Sequence, residues 1–86
     1  MNEYRILWKK SAVKELSKLP KKIGEKIYSL ISKLSLEPRP ENCKKLVSLE
    51  NYYRIKIGDY RVVYFIEDKN LIIEIIRIAH RKEVYK

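Results

Sequence analysis

Three cationic side chains are spaced so that they could bind one phosphate group together. Arg54 and Lys56 alternate with apolar residues before a Gly58-Asp59 pair, and Arg61 follows that pair. This alternation predicts a β-hairpin whose two-residue turn places Lys56 opposite Arg61, with all three cations on one face. Like charges held opposite each other destabilise a sheet by roughly 0.2–1 kcal/mol per pair, and an anion between them removes that penalty. An ordinary solvated sheet face is the alternative, but we expect phosphate to bind here.

The C-terminal segment could complete such a site. His80 and Arg81 follow a long apolar run, and Tyr85 is the penultimate residue. If the substrate is RNA, attack of a ribose 2′-OH on the adjacent phosphate builds a doubly charged phosphorane, which fixed Arg and Lys side chains can stabilise without metal. Nearby cations would favour the phenolate of Tyr85, so it is a candidate general base or stacking platform, and a packing role is equally open. For His80 we favour an ordinary strand-end role.

Other reactive side chains argue against metal or thiol chemistry. The carboxylates are scattered without ligand spacing, and a single histidine cannot form a two-histidine acid–base pair. Cys43 is the only cysteine, with no activating base beside it, so we interpret it as a structural thiol. We therefore expect no metal and no cofactor.

Length and charge narrow the class of protein. The chain has 86 residues, a formal charge of +9 and a pI near 9.7, which predicts one small domain over residues 1–86. Such charge favours nucleic acid, an anionic membrane surface or an acidic protein as partner, without choosing among them. No apolar run is long enough to span a bilayer and no signal peptide is recognisable, so we expect a cytoplasmic protein with no membrane partner.

The elements that must position the cations follow from periodicity. Residues 3–8 predict a strand, Ser11 could cap a short helix that Pro20 ends, and a second helix follows Pro20. The positions predicted to face the core in these helices are Ala12, Val13, Leu16, Leu19, Ile23, Ile27, Leu30, Ile31 and Leu34. Those predicted on the apolar side of the hairpin are Tyr53, Ile55, Ile57, Tyr60, Val62, Tyr64 and Ile66.

The remaining segments complete an α+β pattern. Residues 37–41 predict a proline loop, residues 44–49 a short strand or an irregular approach to the hairpin, and residues 71–79 a central strand. The order β-α-α-β-β-β predicts an antiparallel sheet of the last three strands plus the N-terminal strand, with an αα-hairpin on one face and the cationic face left open. A one-residue shift in the last hairpin would turn His80, rather than Arg81, toward the site.

Two spaced motifs are similar to a known family. The segments Tyr53-Arg-Ile-Lys-Ile-Gly-Asp-Tyr-Arg-Val-Val-Tyr64 and Ile78-Ala-His-Arg-Lys-Glu-Val-Tyr85 resemble the RelE/ParE toxin superfamily, specifically RelE-like mRNA interferases. The segment from Ser11 to Pro20 resembles that family's first helix and its break, so the resemblance covers nearly the whole chain. It implies the toxin of a type II toxin–antitoxin system, a metal-independent and ribosome-dependent endoribonuclease that cleaves mRNA in the ribosomal A site by 2′-OH attack and inhibits translation.

The resemblance also implies roles for single residues. Arg54, Lys56 and Arg61 match the family's basic cluster, for phosphate binding and transition-state stabilisation. Arg81 matches the basic residue after the last strand, and Tyr85 matches the near-terminal tyrosine associated with base stacking or proton transfer. Some RelE-like enzymes have Lys in place of Arg54. Since arginine is a poor proton-transfer group, Lys56, His80 or Tyr85 must carry that role.

Partners and rival functions follow from the same resemblance. It implies a cognate RelB-like antitoxin, mRNA and the ribosomal A site as partners, and operator DNA only through the toxin–antitoxin complex. A ParE-like toxin that poisons DNA gyrase shares the fold but would not need the cation cluster, which favours the nuclease. A purely regulatory nucleic-acid binder would use the same residue types and remains a third hypothesis.

Overall fold

A five-stranded mixed sheet with two helices packed on one face makes up the fold. The computed structural model describes residues 3–84. Its elements are β1 (Arg5–Trp8), α1 (Lys10–Ser17), α2 (Lys21–Ser32), β2 (Cys43–Lys45), β3 (Tyr52–Ile57), β4 (Tyr60–Glu67), β5 (Ile72–His80) and α3 (Arg81–Val84), with a 3-10 turn at Lys33–Ser35 after α2. In this part of the chain, no helix is long and apolar enough to cross a bilayer.

The strand order is β1-β5-β4-β3-β2. The predicted element order and the antiparallel packing of β3, β4 and β5 are confirmed. The structure adds that β1 pairs with β5 in parallel. The segment predicted at residues 44–49 as a short strand or an irregular approach is both: β2 ends at Lys45 and pairs with β3 at the opposite edge of the sheet, and residues 46–49 are irregular. The strand proposed as central, β5, has neighbours on both sides along its first half.

The start of α1 differs from the prediction. Lys9 is the N-cap of α1 and Ser11 lies inside the helix, so the predicted Ser11 cap is wrong. Pro20 does separate the helices, as the residue just before α2. Val13 was expected to face the core but is 48 % exposed, because the short helix α1 has only a narrow packed side, on which Ala12 is fully buried. Ile23, in the first turn of α2, was also expected to face the core and is 36 % exposed.

One face of the hairpin and the two helices together form the hydrophobic core. Ile27 and Ile31 of α2 are fully buried against the apolar side of β3 and β4, as predicted. Tyr64 is also fully buried, and its hydroxyl donates a hydrogen bond of 2.9 Å to the carbonyl oxygen of Pro38. Burial raises the pKa of the Tyr64 phenol well above its usual range. This tyrosine therefore fastens the proline loop to the sheet as a neutral donor.

A β-bulge in β5 decides which way its last residues face. Tyr64 lies opposite Ile75 whereas Val63 lies opposite Arg77, so β5 carries one extra residue between these pairs. A bulge reverses the alternation of faces along the strand that contains it. As a result Ile75 and Ile78 both face the core, although they are three positions apart.

Candidate nucleic-acid interface

The cations predicted from the hairpin do converge on one face of the sheet. Lys56 lies directly opposite Arg61, and Arg54 is two residues before Lys56 on the same strand. Together with Asn42 and Lys44, these three side chains line a cavity of about 350 Å³. The lining contains four cations and no carboxylate, so the cavity is electropositive.

The turn that sets this pairing has the predicted chemistry. Gly58 has φ of 60°, the left-handed region that glycine enters without a Cβ clash. The φ of Asp59 is not positive, so the loop is a type II′ turn with glycine at its first central position. This turn fixes Ile57 opposite Tyr60 and thereby Lys56 opposite Arg61.

The charged side chains of the cavity differ in burial. Arg61 is only 7 % exposed, and its guanidinium donates a hydrogen bond of 3.2 Å to the carbonyl oxygen of Tyr60. Lys56 and Lys44 are exposed, and Arg54 is half-buried. A guanidinium stays charged at any physiological pH, and its field is less screened when water is excluded. Arg61 is therefore a fixed positive centre at the base of the cavity.

Asn42 and Lys44 are cavity residues that the sequence did not reveal. Lys44 belongs to β2 and lies opposite Arg54. The side-chain amide of Asn42 donates a hydrogen bond of 3.3 Å to the backbone carbonyl of Lys56, which joins the start of β2 to β3. A three-residue strand has too little alternation to fix its register, so only the pairing with β3 shows that Lys44 shares the cationic face.

Of the C-terminal candidates, the structure describes Arg81, at the start of α3. The backbone N–H of Arg81 donates a hydrogen bond of 2.8 Å to the carbonyl oxygen of Asp59, so α3 begins beside the β3–β4 turn. Arg81 is not among the residues that line the cavity. Tyr85 lies outside the described residues. The roles proposed for Arg81 and Tyr85 therefore stay predictions.

His80 lies on the core side of the sheet. It is opposite Tyr60, and the two rings meet edge to face with centroids 5.4 Å apart. Its Nδ1 accepts a hydrogen bond of 3.3 Å from the backbone N–H of Lys82. This is the face opposite to the Arg61 side chain, and the ordinary strand-end role favoured from the sequence fits it better than a place in the cavity.

The described part of the chain offers no group of three or more His, Cys, Asp or Glu side chains that could hold a metal ion. Cys43 is a half-buried free thiol that packs against the core. What the cavity can supply is fixed positive charge and hydrogen-bond donors.

Comparison with known proteins assigns the chain to a family. Residues 6–85 match the sequence profile of the family described as the ParE toxin of type II toxin–antitoxin systems. The chain belongs to the RelE/ParE toxin superfamily. This confirms the resemblance carried by the hairpin and tail motifs, and it makes the chain the toxin of a type II system.

Individual relatives of this RelE/ParE toxin carry the RelE name. Toxin RelE3 of Methanocaldococcus jannaschii is 32 % identical over 85 residues, which cover 94 % of each chain. RelE in the archaeal RelE–RelB complex from Pyrococcus horikoshii superposes with a TM-score of 0.83 at 32 % identity, over 94 % of this chain and 97 % of that one. The isolated Escherichia coli RelE toxin gives a TM-score of 0.79 at 29 % identity, over 95 % and 90 % of the two chains. The RelE-like fold is thereby confirmed.

Proposed function

We propose that this toxin is a metal-independent, ribosome-dependent endoribonuclease that cleaves mRNA in the ribosomal A site. The observation that carries the proposal is the acid-free cavity in which Arg54, Lys56 and Arg61 converge on the open face of the sheet. The RelE names of the relatives support the same activity.

The reaction needs a group that removes a proton, a group that donates one, and positive charge that stabilises the phosphorane. The ribose 2′-OH loses a proton as its oxygen attacks the adjacent phosphorus, the bond from phosphorus to the 5′ oxygen breaks, and that leaving oxygen takes up a proton. The products are a 2′,3′-cyclic phosphate and a 5′-hydroxyl. Arg54, Lys56 and Arg61 would bind the phosphate and stabilise the phosphorane, where preorganised charge acts most strongly.

Proton transfer is proposed for other groups. Lys56, an exposed residue of the cavity, is the first candidate, because arginine is a poor proton-transfer group. Tyr85 is the second candidate, either as base or by stacking on a substrate base. Arg81 would add positive charge from α3, beside the β3–β4 turn. We propose no role in proton transfer for His80, because it lies on the opposite face of the sheet.

We also propose a cognate RelB-like antitoxin as partner. The Pyrococcus horikoshii relative was solved as a RelE–RelB complex, and a Mycobacterium tuberculosis relative as a toxin–antitoxin complex. Operator DNA would be bound only through such a complex. A toxin that acts on ribosomes would work in the cytoplasm.

Primer extension on a defined mRNA in a purified translation system tests the nuclease directly. The expected result is a set of cuts at codons in the A site, with 5′-hydroxyl ends, that disappear when ribosomes are omitted or when the cut nucleotide carries a 2′-deoxyribose. Intact mRNA in the complete system would contradict the proposal, and cuts that survive the 2′-deoxy substitution would contradict its mechanism.

A gyrase poison is the second candidate, because the family profile that matches is described by the ParE toxin. The same purified protein should therefore be added to DNA gyrase and supercoiled plasmid. Accumulation of cleaved plasmid together with intact mRNA would replace the nuclease with the gyrase poison.

A further inference from the structure

We propose that Lys44 extends the cationic cavity by one strand and binds a second, neighbouring phosphate of single-stranded RNA. The substrate chain would then cross the sheet from β4 over β3 to β2. This inference rests on the proposed function, since it takes RNA as the ligand, and it adds a binding subsite beyond the phosphate that is cut.

The sheet geometry places Lys44 beside the predicted cluster and not within it. Lys44 lies opposite Arg54, and Arg54 lies opposite Val63 on the next strand. Directly opposed residues share a face, and neighbouring strands are about 4.8 Å apart. Arg61 on β4 and Lys44 on β2 are therefore two strands apart and offset by two residues along the strands, about 12 Å at the backbone. Cations spread over three strands suit an extended polyanion better than one phosphate group.

The backbone that carries Lys44 is held on both sides. Before it, the Asn42 amide bonds to the Lys56 carbonyl at 3.3 Å, and the N–H of Cys43 donates to the Pro40 carbonyl at 3.0 Å. After it, the N–H of Leu46 donates to the Tyr52 carbonyl at 2.9 Å. The strand is thus a fixed base, and the exposed lysine can reach a phosphate without reorganisation of the loop.

Lys45 provides a matched control within the same strand. It is exposed like Lys44, but it lies opposite Tyr53, whose side chain faces the core. Successive strand residues point to opposite faces, so Lys45 is turned away from the cavity. Lys44→Ala and Lys45→Ala remove the same charge from the same strand, on different faces.

The test is an NMR titration of the folded protein with two 2′-O-methyl RNA probes, a dinucleotide with one phosphate and a tetranucleotide with three. Methylation blocks the attacking hydroxyl, so binding is measured without cleavage. Loss of one charged contact predicts that Lys44→Ala weakens tetranucleotide binding about tenfold. It should also lower the slope of log affinity against log salt by about 0.7, the value for one single-stranded phosphate contact. Dinucleotide binding should change less than about twofold, since that probe has no second phosphate.

Several outcomes would overturn the subsite. Equal losses in Lys44→Ala and Lys45→Ala would show a general charge effect, and equal losses for both probes would place Lys44 at the first phosphate. Absence of tetranucleotide binding by the wild type would also reject it. The titration spectra themselves report whether each variant is folded.

The nuclease proposal can fail separately. The predicted titration pattern combined with intact mRNA in the translation assay would keep the subsite and reject the nuclease. Cleaved mRNA combined with tetranucleotide binding that is insensitive to Lys44→Ala would reject only the subsite.

Discussion

Lys56 and Arg61 face each other across one pair of strands, yet their surroundings differ. Arg61 is 7 % exposed whereas Lys56 is exposed, and each is a lining residue of the same cavity. In the proposed reaction, the buried guanidinium of Arg61 would stabilise the phosphorane with a charge that is held in place. The accessible side chain of Lys56 would bind phosphate, and it is the candidate for proton transfer because arginine is a poor proton-transfer group. This difference in burial supports different proposed roles for two neighbouring cations.

A second group of charged side chains, which does not line the cavity, has a structural role. Arg39 contacts Asp68 through Nη2 at 2.9 Å and donates through Nε to the hydroxyl of Tyr53 at 3.0 Å. The hydroxyl of Tyr4 donates to the other carboxylate oxygen of Asp68 at 2.6 Å. The hydrogen bonds from Arg39 and then from Tyr4 lower the pKa of the Asp68 carboxyl. The network ties the proline loop and the start of the chain to the β4–β5 turn.

This network predicts a pH dependence of stability. Because the pKa of Asp68 is lower in the folded protein than its ordinary value of 3.8, its contribution is present above about pH 4 and is lost as the pH falls through the lowered pKa. Urea unfolding should therefore show wild type more stable than Asp68→Asn at pH 6, with the difference shrinking toward pH 2. In an Arg39→Gln background most of that pH dependence should vanish. A difference that is the same at pH 6 and pH 2 would contradict the assignment.

At the scale of elements, a helix side chain forms a hydrogen bond with the edge of β5 beyond the point where β1 stops pairing with it. Strand β1 covers β5 only from Ile72 to Ile75. Beyond it, the carboxylate of Glu15 on α1 accepts a hydrogen bond of 2.8 Å from the backbone N–H of Ile78. Its other oxygen lies 3.7 Å from Nε of Arg77. One helix residue thus supplies a hydrogen-bond acceptor to the edge of β5 just before the C-terminal segment.

Removing that acceptor should destabilise the fold. Glu15→Ala leaves the half-buried N–H of Ile78 without its partner, which predicts a loss of about 1–3 kcal/mol in the free energy of unfolding. Glu15→Gln keeps an acceptor oxygen and should lose less than about 1 kcal/mol. Urea unfolding measures both, and hydrogen exchange at Ile78 should accelerate most in Glu15→Ala. The control is Glu25→Ala, the same change on α2, and an equal loss in that variant would reject the edge role.

How far the elements could be predicted depends on how strongly each is patterned. The β3–β4 hairpin has alternating residues and a glycine at the turn, so its register and its cationic face were predictable. Strand β2 has only three residues and is held by loop contacts, so its register and the place of Lys44 were not. The bulge in β5 was hidden because apolar residues occupy both faces of that strand, which leaves periodicity without a signal. Leu71 has a left-handed φ of 54°, which could not be predicted because leucine, unlike glycine or asparagine, does not indicate that conformation.

At the scale of the whole molecule, the two faces of one sheet have separate tasks. The helices and the core occupy one face, and the cationic cavity lies on the other. The net charge of +9 adds a long-range attraction for polyanions to the local site. Charge and length alone could not choose RNA over other anionic partners. The proposal of RNA comes from the family resemblance, which is carried by the hairpin cations and by the segment from Ile78 to Tyr85.

The most direct test of this account compares mRNA cleavage by Lys56→Ala and Lys45→Ala in the purified translation system. Both variants lose one lysine from an exposed strand position, but Lys56 lines the cavity and Lys45 lies on the opposite face. Loss of one preorganised charge at the reacting phosphate predicts a cleavage rate about 10²-fold lower in Lys56→Ala. Lys45→Ala should stay within about twofold of wild type, since its charge is outside the site. Equal rates in the two variants, with both folded, would contradict the claim that the cationic face of the hairpin is where RNA is cut.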